Sequence, residues 1–431
     1  MYNPYKRNNR NNRIYLLLLQ ARNAQHRQHR QRKLAAILLL ARLARSRKLL
    51  QRRSRYRNLL RRHLLDSPRR RTPWTSIRRS FEDQAYLQTM GLDVASFEYI
   101  LQNGFEQMWN AHTILRHDVN RHGLPRLRAR SLCADGALGL VLYWVTSTST
   151  ESELALIFAL VPSVISRYLY FGLHILVRIL RRLSESQVTW PSEDEMAYFA
   201  ELIQRRHPTI EGAFGFIDGL SLPVETSSDP HQQELMYNGW LHSHRIGNIL
   251  VFAPDGRVIA CRLNAPGSWH DARIAQCIYQ KLVHNTPDGF FLIGDTAFQS
   301  EELAYKIHTP IKEGNVLPAD RGERVAAVEY SNELTQARQA VEWGMRSIQS
   351  VFNRLRVPLD IHNPLGRQQL LEVCVRLHNL RAVCMGINEI RSVYAHEQIE
   401  PDALCAQAHQ VLFPNRHAHN RVGRFYLEIE G

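Results

Sequence analysis

Asp218, Asp295 and Glu342, at separations of 77 and 47 residues, are the side chains of this sequence whose types and spacing could carry chemistry. Asp218 lies in GAFGFIDGLSLPV (residues 212–224), where Phe214, Phe216, Asp218 and Leu220 alternate and so share one face of a predicted strand. An aspartate on an otherwise apolar face needs a counter-charge, either a basic side chain or a metal ion, because an unpaired carboxylate is costly there. Gly219 lets the backbone approach whatever that carboxylate holds. Asp295 follows the apolar run GFFLIG (residues 289–294), which reads as a central strand covered on both faces. The position just past the carboxyl end of such a strand is where α/β sheets bind ligands. Glu342 stands one position off the stripe Val341, Met345, Ile348, Phe352 and Leu355 of a helix predicted over residues 332–356, with Arg338 and Arg346 at i±4. Salt bridging to those arginines is a sufficient structural reason for Glu342. If the three acids converge, they could instead hold two hard cations about 4 Å apart that clamp the attacking and leaving oxygens of a displacement.

Convergence requires a sheet and flanking helices, and the surrounding pattern predicts both. Residues 248–253 and 257–263 flank Pro254-Asp255-Gly256 and read as a hairpin, so three consecutive strands are antiparallel. After Gly267, Ser268 and Asp271 have the S-x-x-D spacing of a capping box, which alone would explain Asp271. The helix that follows places Ile274, Cys277, Ile278 and Leu282 inward. Residues 307–330 are loop-rich, and a last helix over 367–385 carries Leu370, Leu371, Cys374, Leu377, His378 and Leu380. Upstream, helices are predicted around 80–90, 94–103, 132–145, 151–160 and 193–206. A break at Val161-Pro162-Ser163, with Ser163 as N-cap, precedes a further helix with Val164, Tyr168, Phe171, Ile175 and Ile179 on one face. This spacing suits a helix-turn-helix with Ser163, Ser166 and Arg167 at the exposed start of its second helix. An ordinary helical hairpin is the alternative.

With 431 residues and 44% hydrophobic content, the chain can bury a sizeable core in two or three units. Its charge is segregated. Residues 1–72 hold 22 Lys and Arg against one acid, Asp66, a net of +21 out of +15 for the whole chain, so the rest is mildly acidic. Such an arm seeks polyanions, nucleic acid first and an anionic membrane surface second. Arg52, Arg53, Arg61, Arg62, Arg69, Arg70 and Arg71 are its candidate phosphate contacts. The arm reads as helical on a partner, with a disordered free state as the bland alternative. Nuclear import with DNA contact is set against a mitochondrial presequence. Six scattered cysteines without a CxxC point to a reducing compartment and no zinc knuckle. Apolar runs such as 14–19 and 34–41 are too short to span a bilayer, so no membrane partner is expected.

Acid on a first strand, antiparallel hairpin, helix, acid after a central strand, glutamate on a long helix: this order resembles the RNase H-like DDE transposases and integrases. The blocks FIDGLSLPV (216–224), NAPGSWHDARI (264–274), LIGDTAF (292–298), RQAVEWGMRSIQSVFNRL (338–355) and CVRLHN (374–379) narrow the resemblance to the PIF/Harbinger transposase family, over about residues 133–390. It implies an α/β fold: an RNase H-like catalytic domain with a mixed sheet, three antiparallel strands then parallel strands, and flanking helices. The expected organisation is a basic arm (1–72), a helical region with the helix-turn-helix (75–190), the nuclease domain (191–390) and a tail (391–431). The resemblance makes Asp218, Asp295 and Glu342 the catalytic, metal-binding acids for Mg²⁺ or Mn²⁺, with His270, Asp271 and Arg338 in support. Leu220-Ser221 stand where the family often has Thr-His, and Thr296 and Phe298 where it often has Ser and Tyr. The implied activity is metal-dependent DNA cleavage and strand transfer in the nucleus, by a homo-oligomer that a Myb-like partner protein guides to its sites. The rivals are a domesticated, non-cutting DNA-binding protein and an RNase H-like nuclease on another nucleic acid.

Overall fold

The computed structural model describes residues 22, 30, 32–43, 45, 59–114, 120, 123–299, 301–312 and 315–395. The chain forms two compact units, Met1–His63 and Leu64–Gly431. In the first, residues 32–43 are helical, and Leu34, Ile37 and Leu38 are each more than half exposed. Arg61 and Arg62 are exposed on a single 3₁₀ turn, Arg61–His63. Arg52 and Arg53 lie outside the described residues, as does the tail beyond residue 395.

The second unit opens with helices. The helix expected at 80–90 is α2 (Asp83–Met90), and an unexpected helix, α1 (Pro73–Ser80), precedes it, the two separated by Phe81 in a left-handed conformation. Thr72 caps α1 in a reciprocal bond with Thr75, so Pro73 opens a helix, where its fixed φ is suited to the first turn. Next come α3 (Val94–Ile100), α4 (Glu106–Ala111), α5 (Ala134–Thr146), α6 (Glu151–Phe158) and α7 (Pro162–Leu180). Helix α7 is long and apolar enough to cross a membrane by length and composition, yet ten of its residues are buried against neighbours that include α5 and α6. Its N-cap is Val161, not Ser163 as expected, because Pro162 takes the first helical position and draws Ser163 inside the first turn.

Helix α8 (Glu193–Gln204) leads into the sheet, capped by a Ser192–Glu195 box. The strands are β1 (Ala213–Pro223), β3 (Ser243–Phe252), β4 (Val258–Pro266), β5 (Phe291–Gly294) and β6 (Ile307–His308), with a short β2 (Tyr237–Asn238) beside β3 after helix α9 (Pro230–Met236). Across the sheet the order is β4-β3-β1-β5-β6: β4, β3 and β1 run antiparallel, and β1, β5 and β6 parallel. This is a mixed α/β sheet consistent with an RNase H-like domain. Between β4 and β5 stand α10 (Asp271–Ile274) and α11 (Gln276–His284), which bury Ile274, Ile278, Tyr279 and Leu282; Cys277, expected inward, is exposed.

Two long helices and a short last one, Glu389–Tyr394, follow the sheet among the described residues. The one expected at 332–356 is α12 (Arg321–Val351), begun eleven residues early because Asp320 caps it through the amides of Gly322 and Glu323. Its early turns lack an apolar stripe that periodicity could register. Gly344 brings α12 onto the sheet: a Cβ there would sit 2.7–2.9 Å from the Phe252 ring. Helix α13 (Pro364–Leu380) ends in His378-Asn379, and both side chains are spent on the β3–β4 hairpin. The Asn379 amide accepts from Val258 N (2.7 Å) and donates to the carbonyls of Val258 (2.9 Å) and Gln187 (2.7 Å). His378 Nε2 meets Gly256 O at 3.0 Å, and burial lowers its pKa to about 4. Asn379→Ala strands buried backbone groups at both ends of that clamp, so denaturant melts should show a loss of about 2–3 kcal/mol; an unchanged midpoint would refute the clamp.

A carboxylate groove as the candidate active site

Parallel register does the first part of the assembly. Ile217 on β1 pairs with Gly294 on β5, so one step further along each strand puts Asp218 beside Asp295 at the carboxyl end of the sheet. Gly219 N donates to Asp218 Oδ1 (2.7 Å), and Thr296 N donates to Asp295 Oδ1 (2.6 Å), with Thr296 Oγ1 at 3.1 Å. Each carboxylate is therefore oriented by the amide that follows it, which leaves its Oδ2 uncommitted to these bonds. Helix α12 contributes the rest. Arg338 and Glu342, one turn apart, face the same cavity of about 1080 Å³ as the two aspartates. Arg338 is buried, with Nη1 3.4 Å from Asp295 Oδ2 and Nη2 3.7 Å from Glu342 Oε1. Arg346, the other expected neighbour of Glu342, is exposed.

Asp271 joins them by a route the S-x-x-D spacing did not indicate. The capping box with Ser268 does not form; the N-cap of α10 is His270, whose Nδ1 accepts weakly from Ala272 N (3.4 Å). Asp271 is thus the first helical residue, and its carboxylate swings against β1. A Cβ on Gly219 would lie 2.8 Å from Asp271 Oδ2, so the glycine leaves room for this carboxylate, which a larger residue would push aside. His270 is exposed at the rim.

The electrostatics follow from that crowding. Burial pushes Asp218 up to about 6, helped by the negative charges of Asp295 and Asp271 and opposed by Arg338 and the Gly219 amide. Burial raises Asp271 as well, with Asp295 adding to the shift and His270 opposing it. Four carboxylates thus share one groove with the buried Arg338 and the exposed Lys312. Oxygen donors of this kind suit a hard divalent cation. Among the described residues, however, no three His, Cys, Asp or Glu side chains are arranged as a metal-ligand set.

The two places where the sequence departs from the family blocks have local explanations. Ser221 Oγ accepts from Arg245 Nε (2.7 Å), and its carbonyl accepts from Arg245 Nη2 (2.9 Å), so this position braces β3. Phe298 is fully buried in the core beside β5. Arg70 and Arg71 are exposed, whereas the Arg69 guanidinium donates to the carbonyls of Leu127 (2.7 Å) and Arg130 and acts as a strut. At the start of α7, Ser166 Oγ donates to Glu151 Oε1 (2.7 Å), and Arg167 Nε donates to Ser163 O (2.8 Å). The groove also contains Trp269, from the NAPGSWHDARI block, and Trp240 and Leu241, which the sequence pattern did not single out. The NGW turn that carries Trp240 was the available signal.

Residues 217–379 match the family model described as DDE superfamily endonuclease. The match starts one residue before Asp218 and contains every acid of the groove. It supports a DDE transposase-like nuclease domain in this part of the chain, of a superfamily that typically uses divalent metals. No curated protein and no solved structure matches the chain.

Proposed function

We propose that this chain is a DNA-cutting transposase of the PIF/Harbinger type, and that Asp218, Asp295 and Glu342, which line one groove without standing at ligand spacing in this structure, would draw together on one or two Mg²⁺ or Mn²⁺ ions. The observation that carries the reading is that these three acids line one groove beside a mixed sheet consistent with an RNase H-like domain. The bound ions would supply an activated water or 3′-hydroxyl and charge stabilisation at the phosphate. The protein's own part is positional. The amides of Gly219 and Thr296 orient the two aspartates, and α12 brings Glu342 into the same groove. Arg338 offsets negative charge within the groove. Asp271 adds a fourth carboxylate against Asp218's strand, and His270 sets the helix start that aims it. Arg70, Arg71 and the basic arm would hold phosphates, with Ser163, Ser166 and Arg167 on α7 as a secondary contact. A homo-oligomeric active form, a Myb-like partner and a nuclear location belong to the same reading.

The test is cleavage by the full chain. Duplex DNA should be nicked in Mg²⁺ or Mn²⁺ by the wild type and left intact by Asp295→Asn and Glu342→Gln. Wild type that binds this DNA and never cuts it, in either metal, would replace the enzyme by a non-cutting DNA-binding protein.

A further inference from the structure

Trp240 is 84% exposed, yet it lines the same groove as Asp218, Asp295 and Glu342. An indole left in water forgoes roughly 1.5–3 kcal/mol of burial, so its place at this mouth calls for a reason. The turn that presents it is built, not loose. Asn238 Oδ1 accepts from Leu241 N (2.9 Å), and Asn238 Nδ2 donates to Gly267 O (2.9 Å). His242 holds a left-handed conformation at φ 49°, which is strained for a residue with a Cβ. Gly267 is wedged in turn: a Cβ there would meet Arg245 O at 2.2 Å and Met236 O at 2.6 Å. The turn bearing Trp240 and the loop leading to Asp271 are therefore fastened into one wall of the groove.

We propose that Trp240 is a stacking platform for an unpaired nucleobase next to the phosphate that is cut. The inference rests on the DNA-cutting reading of the groove and adds to it the form of DNA that the groove takes. An acidic floor repels a phosphate chain, so an anchor here gains from being uncharged and insensitive to salt. A flat indole stacks on any base by its π-face, an interaction worth roughly 1–3 kcal/mol that tolerates sequence. Within a duplex, away from its ends, both faces of a base are covered by its neighbours. Only a frayed, flapped or extruded base can offer a face to Trp240. The groove thereby favours DNA already opened at the cut.

Binding by the full chain in Ca²⁺ should be measured on a blunt duplex and on the same duplex with a short unpaired flap that carries 2-aminopurine. Wild type should prefer the flap by roughly tenfold, the scale of one stacked base, and should quench its fluorescence. Trp240→Ala should abolish both effects and leave blunt-duplex affinity and the melting temperature unchanged; Trp240→Phe should retain part of each. Because the indole is exposed, its removal empties no core. The proposal is overturned if Trp240→Ala keeps the preference, or if wild type has none. It is overturned equally if the substitution changes only the oligomeric state, which would make the turn a contact between copies. A chain that reads the flap through Trp240 but cuts nothing in Mg²⁺ would uphold the platform and remove the nuclease reading, so the two fail separately.

Discussion

Asp218→Asn is expected to abolish DNA cleavage while making the metal-free protein more stable. The loss should be roughly 10³-fold or more, the scale of several kcal/mol of transition-state stabilisation. The gain comes from the same crowding. The Asp218 carboxyl is raised from 3.8 to about 6, so the folded chain binds a proton that the unfolded chain has released between those values. Stability from this group is therefore present at low pH and falls as pH rises from about 4 to 6. Above that window the charged form costs at most about 3 kcal/mol, and asparagine, which keeps a bond to the Gly219 amide, should recover about 1–2 kcal/mol of it at pH 7.5. The whole protein will not show this slope directly. His207 and His378 are lowered by burial to about 4, so they lose stability as pH falls below their ordinary value. Two histidines outweigh one aspartate, and wild type should weaken on acidification. The informative quantity is the difference in melting temperature between Asp218→Asn and wild type in EDTA. It should be positive at pH 7.5 and shrink towards pH 4.5. A variant less stable than wild type at pH 7.5 would refute the charge-repulsion account of this groove.

What the sequence made legible was whatever rests on periodicity and on turn chemistry. The alternation around Asp218, the apolar run before Asp295 and the Pro254-Asp255-Gly256 hairpin each correspond to strands in the expected places. The stripe Val341, Met345, Ile348, Phe352 and Leu355 is buried throughout. Local capping chemistry was less decisive, because several residues compete for one helix start. Ser163 lost to Pro162, whose ring is already set for the first turn. Ser268 lost to His270, and that slip of two residues freed the Asp271 carboxylate to reach the groove. No spacing rule encodes that outcome, since it depends on the absence of a side chain at Gly219, over fifty residues away. The same holds for CVRLHN: its histidine and asparagine serve a hairpin more than a hundred residues upstream, which a local reading presents only as the end of a helix. Arg338 was legible as a neighbour of Glu342 at i−4. Its reach to Asp295 was not, because that contact exists only once α12 lies across β5.

Arg338→Gln is expected to lower the stability of the metal-free protein by about 2 kcal/mol and to enlarge the stabilisation that Mg²⁺ or Mn²⁺ confers. The Arg338 guanidinium is buried, and its two ends approach Asp295 and Glu342 while its charge also favours the ionised form of Asp218. Removing one member of a buried pair typically costs 3–5 kcal/mol, and the partly exposed partners here reduce that figure. At 3.4 and 3.7 Å the contacts are ion pairs longer than ordinary hydrogen bonds, so the guanidinium neutralises the acids without tight chelation. A cation entering the groove would meet carboxylates that are already partly compensated. Its binding should gain less in wild type than in the variant, where the repulsion is unrelieved. Arg338→Lys keeps the charge but cannot present two ends at once, and should fall between the two. Melting curves of the three proteins, with EDTA and with millimolar Mg²⁺, read both effects without any assay of cleavage. The cycle closes with Arg338→Gln combined with Asp218→Asn. Removing one negative charge should restore part of the stability lost with the positive one, as an interaction energy of about 1 kcal/mol between the sites. Strictly additive losses, or a metal-induced shift no larger in Arg338→Gln than in wild type, would mean that Arg338 only packs α12 against the sheet.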